Sequence, residues 1–493
     1  MVHSDGNLFS ILVFFLWIPI ALWGARRWPP AKAAALLFLL PLMFLPELVY
    51  FDLPGVPHFD KQRIAVFWLL IGVLLFHRQW LGALQLSRWT KLSMLLLLGG
   101  RVVTVFLNSD SISDGSVYLP GHQTYDAVTA VIAGTFDYIL PFTIAAAMFK
   151  DAKDLRVLFR FLVGATLVYG VFQLFEVRFS PQLHTWIYGF FQHSFAQMMR
   201  GGGFRPIVFM THGLAVAMFT MVGVLAAARL YKAKAKVRGV SALWAMAFLL
   251  LVALLNKSMA AFLYTLIGVP LVLFFTPKTQ FRVAMLLAVT VLLYPALRAS
   301  NLIPVDDIVE VVTAQFGEQR AASLSTRFDN EEDLLERAWE RPFFGWGMYG
   351  RSSIYESWSG KQTSISDGDW IITLGNWGLV GFLAKYLLLL LPVFVTARQM
   401  RYLRRPSDRR FLSALALMIC FSAFDLLPNG NYNYLPFVFS GALVGCLAGM
   451  LRHASEQARL KRRRAVAHQL DPNVEVRQRD IGRGGTRHRF GGQ

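Results

Sequence analysis

Residues 323–347 of the chain read Ser-Leu-Ser-Thr-Arg-Phe-Asp-Asn-Glu-Glu-Asp-Leu-Leu-Glu-Arg-Ala-Trp-Glu-Arg-Pro-Phe-Phe-Gly-Trp-Gly, a polar stretch set between hydrophobic runs. After a polar interval, residues 366–381 continue Ser-Asp-Gly-Asp-Trp-Ile-Ile-Thr-Leu-Gly-Asn-Trp-Gly-Leu-Val-Gly. Arginines, carboxylates, glycines and tryptophans are concentrated here. A membrane protein that keeps so many polar groups beside its spans is expected to handle a polar or charged substrate there.

The composition of the chain is that of a polytopic membrane protein. Of its 493 residues, 55% are hydrophobic and only 16% are charged, which lies outside the range of soluble domains. Apolar runs of roughly 17–25 residues can cross the hydrocarbon core as helices. Such runs lie at about 8–24, 33–50, 63–77, 92–107, 125–149, 157–175, 206–230, 240–256, 259–276, 283–298, 369–396, 411–427 and 433–451. The expected fold is an all-α polytopic membrane protein with about 12–13 transmembrane helices.

Basic clusters predict the orientation of these spans. They lie at 26–32, 78–91, 150–160, 229–238, 278–282 and 398–410, which all fall on one side of the predicted membrane. Basic loops remain in the cytoplasm, so the N-terminus is expected outside and the C-terminus inside. The first run has no small-residue cleavage site and is followed by two arginines, so it is expected to be a retained span.

The chain is predicted to form a transmembrane domain, 1–451, and a basic tail, 452–493. The tail is rich in Arg and Gly with few large apolar groups, which favours a disordered segment lying against anionic lipid. RNA binding is the alternative interpretation, but no aromatic stacking motif accompanies the charge. We therefore expect no nucleic-acid partner.

Two outside loops, about 176–205 and 299–368, are longer than ordinary connections and are expected to be functional. The second is predicted to carry two short helices. Asp306 or Asp307 is expected to cap the first, which runs to about Phe316. Asp329 or Asn330 is expected to cap the second, over Glu331–Glu340, which Pro342 ends.

Five arginines in these loops are candidate substrate-binding residues. Arg200 and Arg205 flank three consecutive glycines, whereas Arg327, Arg337 and Arg341 precede the Pro-Phe-Phe-Gly-Trp-Gly segment. A guanidinium group presents a planar fork to phosphate oxygens, and glycines let backbone N–H groups approach an anion. Arginines from two loops at one membrane face can therefore clamp a lipid diphosphate headgroup.

Some of these side chains also have a structural interpretation. Arg337 can pair with Asp333 four residues earlier, and Arg341 can anchor the loop at the membrane interface. His212, in the segment that follows the first loop, is a further candidate substrate-binding residue. A hydrogen-bonded histidine buried in the bundle is the alternative interpretation for His212.

Asp367 and Asp369, at the start of the 369–396 span, are the candidate catalytic carboxylates. A carboxylate at the mouth of a membrane cavity can accept a proton from a sugar hydroxyl. Asp369 directly precedes Trp370 and is well placed to cap the following helix. Asp367 is therefore the preferred candidate base.

Charged residues singled out within the membrane-spanning region are Arg101, Asp137, Lys385 and Asp425, together with Lys257 between the runs 240–256 and 259–276. Each is costly there unless it is paired or faces water. Arg101 and Asp137 are a predicted internal pair.

The sequence carries no motif for a bound cofactor. It has no Gly-rich nucleotide loop, no metal-ligand cluster and no serine nucleophile elbow. Its two cysteines, Cys420 and Cys446, both lie within predicted spans and have no zinc-type spacing. We expect no metal and no cofactor, which argues against an ATP-driven pump or a protease.

Three segments together resemble the O-antigen ligase and O-antigen polymerase superfamily. The first is Ser-Leu-x-x-Arg327, a predicted amphipathic helix, Arg-Pro-Phe-Phe-Gly-Trp-Gly and a span that reaches Gly-Leu-Val-Gly381. The second is Arg205-Pro-Ile-Val-Phe-x-x-His-Gly. The third is Asn256-Lys-Ser-Met-Ala-Ala, which resembles a Ser-Arg-Gly-Ala span start with Met259 in the arginine's place. The resemblance covers about 195–395.

This resemblance implies a metal-independent glycosyltransferase that takes a glycan from undecaprenyl diphosphate at the periplasmic face of the bacterial inner membrane. Polymerases of this kind pass the glycan to another lipid-linked repeat unit, and ligases pass it to lipid A-core. By resemblance, the diphosphate-binding arginines are Arg200 or Arg205 together with Arg327, with Arg337 and Arg341 in support.

One position departs from the ligase pattern. Ligases typically carry a histidine eleven residues before the glycine of the late span, and counting back from Gly378 gives Asp367. Aspartate can still act as a base, so the reaction class is retained. The departure favours a polymerase of an exopolysaccharide, capsule or O-antigen chain over a ligase.

The sequence therefore predicts a periplasmic polysaccharide polymerase in which Asp367 deprotonates the acceptor hydroxyl and Arg205 and Arg327 stabilise the leaving diphosphate. A ligase is the second hypothesis. A transporter or flippase of lipid-linked glycans is the third hypothesis. It predicts charges along a central path through the spans, as Arg101, Asp137 and Lys385 could provide, whereas most of the candidate charged residues lie at the outside face. The expected partners are an undecaprenyl-diphosphate-linked glycan, membrane lipid, and a chain-length regulator or other polysaccharide-assembly protein.

Overall fold

The computed structural model describes residues 2–52, 55–82, 84–237 and 239–470, and helices dominate them. In chain order the α-helices are α1 (Leu8–Arg27), α2 (Pro30–Phe44), α3 (Lys61–Phe76), α4 (Arg78–Gly82), α5 (Arg88–Phe106), α6 (Thr124–Gly134), α7 (Leu140–Met148), α8 (Ala152–Phe179), α9 (Leu183–Tyr188), α10 (Gly213–Lys232), α11 (Ala242–Leu255), α12 (Met259–Phe274), α13 (Pro277–Ala299), α14 (Val305–Phe316), α15 (Glu318–Trp339), α16 (Asp369–Gln399), α17 (Pro406–Asp425) and α18 (Leu435–Leu470). A π-helical turn, Thr135–Ile139, joins α6 to α7, and short 3₁₀ turns cover Phe195–Met198 and Met400–Tyr402.

The strands are very short and form antiparallel pairs. They are β1 (Val2–Ser4) with β2 (Val49–Phe51), β3 (Ile112–Asp114) with β4 (Val117–Leu119), β5 (Met199–Arg200) with β6 (Gly203–Phe204), and β7 (Lys236–Val237) with β8 (Val240–Ser241). In the β5–β6 hairpin, Arg200 lies opposite Gly203. This hairpin is therefore what places Arg200 and, just after β6, Arg205.

Each of the thirteen predicted apolar runs coincides with a helix, and the run at 125–149 is built from α6, the π-helical turn and α7. Within the described residues, eight helices are long and apolar enough to cross a membrane, namely Leu8–Arg27, Arg88–Phe106, Thr124–Met148, Ala152–Phe179, Gly213–Lys232, Pro277–Ala299, Asp369–Tyr402 and Leu435–Leu460. The apolar helices α2, α11 and α12 are shorter. The prediction of an all-α polytopic membrane protein is confirmed, whereas a count of 12–13 spans stays a prediction.

The bundle is built around α10, of which nearly all residues are buried. Helices α8, α11, α12 and α17 surround α10, and α18 packs against α7 and α16. By contrast, α1, α5 and α13 expose large apolar side chains such as Leu12, Leu95 and Leu286. An apolar rim around a buried centre is expected where lipid chains, rather than water, cover the outer helices.

Several connections meet at one end of the bundle, which we call the loop face. It comprises the N-terminus and residues 45–52, 107–123, 180–212, 256–258, 300–368 and 426–434. Hydrogen bonds join these segments to one another. They include Asn7 N to Tyr188 O at 2.8 Å and Asp369 N to Leu426 O at 3.0 Å, with Arg341 Nη1 to Leu107 O at 3.0 Å.

The opposite end, which we call the basic face, carries most of the basic clusters. Arg156 and Asp408 approach to 3.6 Å there, and the Lys150 ammonium lies 3.9 Å from the ring centroid of Trp80. The two long loops singled out in the sequence therefore lie on the loop face, away from the basic clusters. Which face is periplasmic stays a prediction from charge.

The second long loop, residues 300–368, is called the large loop from here on. Its helices differ from the prediction in where they begin. Helix α14 does end at Phe316, but Pro304 occupies its cap position and Asp306 and Asp307 lie in its first turn. Helix α15 begins at Glu318 rather than near Asp329. The break between the two helices is at Gly317, where φ is 87°. Residues after Gly317 are mostly good helix formers, so the helix runs straight through the predicted cap.

Part of the predicted basic tail lies within the described residues. Helix α18 continues to Leu470 and so includes residues 452–470, and disorder of the tail stays a prediction. The rest of the predicted tail, 471–493, lies outside the described residues.

The predicted pair between Arg101 and Asp137 is wrong. Asp137 instead accepts from Arg63, whose Nε and Nη2 lie 2.8 and 3.0 Å from the carboxylate. The reason is that α3 packs against the π-helical turn that carries Asp137. Arg101 donates to Ala130 O at 3.0 Å and lies 4.5 Å from the ring of Trp377.

Candidate active site

Glycines of the Pro-Phe-Phe-Gly-Trp-Gly segment and of the Gly-Leu-Val-Gly segment allow the large loop to pack against a break in α16. Gly378 interrupts the helix with φ 63° and ψ −170°, a conformation that is essentially restricted to glycine. A Cβ atom at Gly378 would lie 2.3 Å from the carbonyl carbon of Phe343. Segment 342–347 is hydrogen-bonded to the opened turn through Leu379 N to Pro342 O (2.7 Å), Val380 N to Phe343 O (3.1 Å), Trp346 N to Gly375 O (2.8 Å) and Gly347 N to Asn376 O (2.8 Å).

Glu331 ties α15 to the bundle one turn beyond Arg327. The Glu331 carboxylate is buried and accepts from Trp370 Nε1 on α16 at 3.3 Å. Two residues of α13 also reach Glu331: Tyr294 donates at 3.3 Å and Arg298 forms an ion pair at 3.5 Å. Burial raises the pKa of Glu331 above its ordinary value. These contacts fix the position of Arg327 relative to α16.

Arg337 and Arg341 lie on the indole of Trp346. Their guanidinium carbons are 3.5 and 4.2 Å from the ring centroid, and Trp346 Nε1 donates to Arg337 O at 2.7 Å. The suggested pair between Arg337 and Asp333 is wrong, because Arg337 binds Glu340 at 2.7 Å instead. Both arginines therefore have structural partners around the Gly-Trp-Gly segment.

Arg341 and Arg351 join the large loop to residues 107–123. Arg341 pairs with Asp110 at 3.3 Å. Arg351 is completely buried, and its Nη1 donates to Asp110 O at 2.8 Å and to Pro120 O at 2.9 Å. Sequence reasoning missed Arg351, which stands in a polar stretch with no helical period to mark it as buried.

Arg200, Arg205 and Arg327 form a second set, which we call the arginine group. It differs from the first in that Arg205 is buried with unpaired donor atoms. Arg205 is only 2% exposed, and its Nη2 donates to the backbone oxygen of Lys257 at 3.0 Å. Its Nε and Nη1 atoms have no hydrogen-bond partner among the described residues. Burial, followed by the positive charges of Arg200 and Arg327, lowers the pKa of Arg205 to about 10. A buried cation with two unused donor atoms, beside two more cations, has the charge and the hydrogen-bond donors to bind an anion.

Lys257 holds this group in place. Its backbone has φ 53°, and its oxygen receives the Arg205 hydrogen bond. Its ammonium donates to the backbone oxygens of Arg200 at 2.8 Å and Gly201 at 3.3 Å. Lys257, grouped above with the charges of the membrane-spanning region, lies in the turn between α11 and α12 and supports the β5–β6 hairpin. The signal that could have found it is its position in the family-like segment 256–261.

His212 caps helix α10 next to the arginine group. Its Nδ1 accepts from Leu214 N at 3.0 Å, so the proton resides on Nε2, which lies 3.2 Å from Gln197 Oε1. Burial lowers the pKa of His212 to about 3, and His193 and the three arginines act in the same direction. His212 is therefore neutral, with both nitrogens engaged in the protein. Its role in substrate binding stays a prediction.

Arg327 and Asp367, predicted separately, form an ion pair. Arg327 Nε lies 3.1 Å from Asp367 Oδ2, and both side chains are about two-fifths exposed, at 36% and 40%. The candidate base thus lies beside the arginine group and remains open to solvent or substrate.

Asp369 has a different environment from Asp367. It is buried, both of its oxygens accept from Lys385 Nζ at 2.7 and 2.6 Å, and Tyr386 donates to it at 2.7 Å. Gly368 occupies the cap position of α16, so the suggested capping by Asp369 does not occur. The carboxylate neutralises Lys385 inside the bundle. Nothing in this geometry brings Asp369 to the arginine group, and its catalytic role stays a prediction.

The fold and these contacts define a class of protein: a multi-pass membrane protein whose loop face combines a partly buried group of arginines with a neighbouring carboxylate. Residues 244–386, from α11 to the middle of α16, match the model of a family described as O-antigen ligase. This match confirms the resemblance to the O-antigen ligase and polymerase superfamily. No curated protein matches the chain. The matched segment supports a glycosyl-transferring membrane enzyme of the ligase or polymerase type and includes Lys257, Arg327 and Asp367.

Proposed function

We propose that the protein is a metal-independent glycosyltransferase that polymerises undecaprenyl-diphosphate-linked repeat units at the periplasmic face of a bacterial inner membrane. The product would be an exopolysaccharide, capsule or O-antigen chain. The observation that carries the proposal is Arg205, which is buried with two unused donors beside Arg200 and Arg327. A lipid diphosphate supplies the oxygens that these donors require.

In this proposal the donor diphosphate binds the arginine group and competes with Asp367 for Arg327. The Asp367 carboxylate then accepts the proton of an acceptor sugar hydroxyl. The hydroxyl oxygen forms a bond to the anomeric carbon of the donor, while the bond from that carbon to the diphosphate oxygen breaks. Its electron pair leaves with the diphosphate, whose developing charge is stabilised by Arg205 and Arg327. A single displacement inverts the anomeric centre.

Ligation to lipid A-core is the second candidate function, and the description of the matched family favours it. The two reactions share a donor site and differ in the acceptor. Asp367, where ligases typically have a histidine, supports the polymerase. A chain-length regulator or other assembly protein is the proposed partner of a polymerase.

The test is the length of the product made by purified protein in nanodiscs. The protein is given a synthetic undecaprenyl diphosphate repeat unit with chelator and without nucleotide. We expect a ladder of lengthening glycans that is lost in Arg205→Ala, Arg327→Ala and Asp367→Asn. Two exposed residues provide matched controls: Arg404→Ala on the basic face and Asp333→Asn on α15 are expected to keep the ladder.

Each other outcome has a defined meaning. Transfer that occurs only after lipid A-core is added would make the protein a ligase. Retention at the anomeric centre would exclude the single displacement. An absence of transfer to any acceptor would contradict the proposal and favour a transporter of lipid-linked glycans. A ladder that persists in Arg205→Ala would show that the reaction does not depend on the arginine group.

A further inference from the structure

A cavity of about 340 Å³ lies beside the candidate base, between the large loop and the first turns of α16. Its size is that of a small-molecule site. It is lined by Leu334, Met348, Tyr349, Gly350, Ser352, Ser353, Ser366, Ile371, Ile372, Gly375 and Asn376. None of these lining residues is charged.

The cavity combines neutral polar groups with an apolar wall. The hydroxyl groups of Ser353 and Ser366 make no hydrogen bond with another described residue. Asn376 Oδ1 accepts from Ser352 at 2.7 Å, which leaves the amide nitrogen of Asn376 as a further donor. A sugar ring presents hydroxyl groups around its edge and C–H groups on its faces. Hydroxyls, an amide and aliphatic side chains therefore complement an uncharged sugar, whereas a carboxylate or phosphate would have no counter-ion here.

The position of the cavity relates it to the arginine group. Ser366 immediately precedes Asp367, which is 3.1 Å from Arg327. Leu334 lies on α15 seven residues after Arg327, which at 1.5 Å per residue is roughly 10 Å along the helix. The arginine group and the cavity therefore both adjoin Asp367, and the rise along α15 from Arg327 to Leu334 is comparable to the length of one or two sugar rings.

The cavity wall is fixed before any ligand binds. Tyr349 donates to Asp126 Oδ1 at 2.6 Å, and Met348 N donates to His122 Nε2 at 3.0 Å. Both contacts anchor the loop to the segment around α6. A wall held in this way costs little ordering free energy on binding.

We propose that this cavity binds an uncharged sugar ring of the lipid-linked glycan and makes the enzyme selective for repeat units with a neutral sugar next to the reacting bond. The selectivity for repeat units rests on the proposed function. The binding of a neutral sugar does not depend on it and is measured separately.

The test is saturation-transfer NMR on the full-length protein in nanodiscs. The probes are the methyl glycosides of glucose, galactose, mannose, rhamnose and N-acetylglucosamine, with methyl glucuronide as the charged counterpart. At least one neutral glycoside is expected to bind, and methyl glucuronide at least tenfold more weakly. Ser353→Leu, which fills the cavity, is expected to weaken binding at least tenfold, and Ser353→Ala, which removes only a hydroxyl, several-fold. Ser359→Leu, on an exposed part of the same loop, is the matched control and should bind as the wild type does.

Two results would overturn the proposal: no neutral glycoside binds, or Ser353→Leu and Ser353→Ala both retain full binding. Equal binding of methyl glucuronide would overturn the selectivity. Arg205→Ala distinguishes this proposal from the proposed function, because it should lose glycan transfer and keep glycoside binding. If the wild type binds sugar but transfers no glycan, the proposed glycosyltransferase activity is contradicted, whereas the assignment of the cavity as a sugar site is supported.

Discussion

Arg205 shows how one residue departs from what stability alone would favour. A buried guanidinium with donors left unpaired lowers the stability of the fold, and Arg205 has one backbone hydrogen bond and two unused donors among the described residues. The neighbouring charges of Arg200 and Arg327 increase this cost. Such an arrangement is expected where binding of an anion compensates for the loss.

The substitution Arg205→Met distinguishes a role of Arg205 in anion binding from a role in the stability of the fold. Because the substitution removes a buried charge, we expect the melting temperature to be unchanged or higher. The rate of glycan transfer should fall by about 100-fold or more, the usual effect of losing a donor to a developing oxyanion. Both are measured in nanodiscs, with Arg404→Met on the basic face as control. A large drop in melting temperature would mean that Arg205 is structural.

His212 is expected to make the stability of the fold depend on pH. Its pKa falls from 6.5 to about 3 in the folded protein, so between these values the unfolded chain binds the proton more readily. Stability from this residue is therefore complete above pH 6.5 and is lost as the pH falls towards 3.

The prediction is that His212→Asn, which retains a capping oxygen, has a smaller difference in melting temperature between pH 7 and pH 5 than the wild type. His453→Gln, an exposed histidine of α18, should have the wild-type difference. An unchanged difference in His212→Asn would contradict the neutral assignment.

The break in α16 at Gly378 determines where Arg327 and Asp367 lie relative to each other. The strand-like contacts between 342–347 and the opened turn hold the large loop against the bundle. Glu331 then sets the position of α15. Arg327 and Asp367 meet because both of these attachments are in place.

Gly378→Ala is expected to break this attachment. Its φ and ψ favour glycine, and an added Cβ would meet the Phe343 backbone, so the free energy of unfolding should fall by about 1–3 kcal/mol. Transfer activity should be lost with it. The control is Gly164→Ala in α8, where a Cβ meets nothing within 4 Å and helix propensity should improve. Equal effects of the two substitutions would contradict the role of the break.

The helices were predictable and their polar partners were not, for a physical reason. A run of apolar residues must be helical in lipid because every backbone group needs an internal partner, so thirteen runs gave thirteen correct locations. The pairs of Arg63 with Asp137 and Arg327 with Asp367 join residues 74 and 40 positions apart. Such pairs depend on which helices are neighbours, which hydrophobic periodicity and residue spacing do not reveal.

The two faces of the bundle differ in the charged residues that they carry. The loop face holds the arginine group, Asp367 and the cavity, whereas the basic face holds most of the charge clusters. Since basic segments remain in the cytoplasm, the loop face is expected to be periplasmic. This orientation is required if the donor is a lipid-linked glycan presented outside the cytoplasm.

Cysteine labelling tests this orientation, because Cys420 and Cys446 are completely buried and should give little background. Tyr118→Cys places a thiol on an exposed site of the loop face, and Arg404→Cys places one on the basic face. A membrane-impermeant maleimide added to cells with a permeabilised outer membrane should label Tyr118→Cys. It should label Arg404→Cys only after lysis. The reverse pattern would put the candidate active site in the cytoplasm, where a periplasmic polymerase could not work.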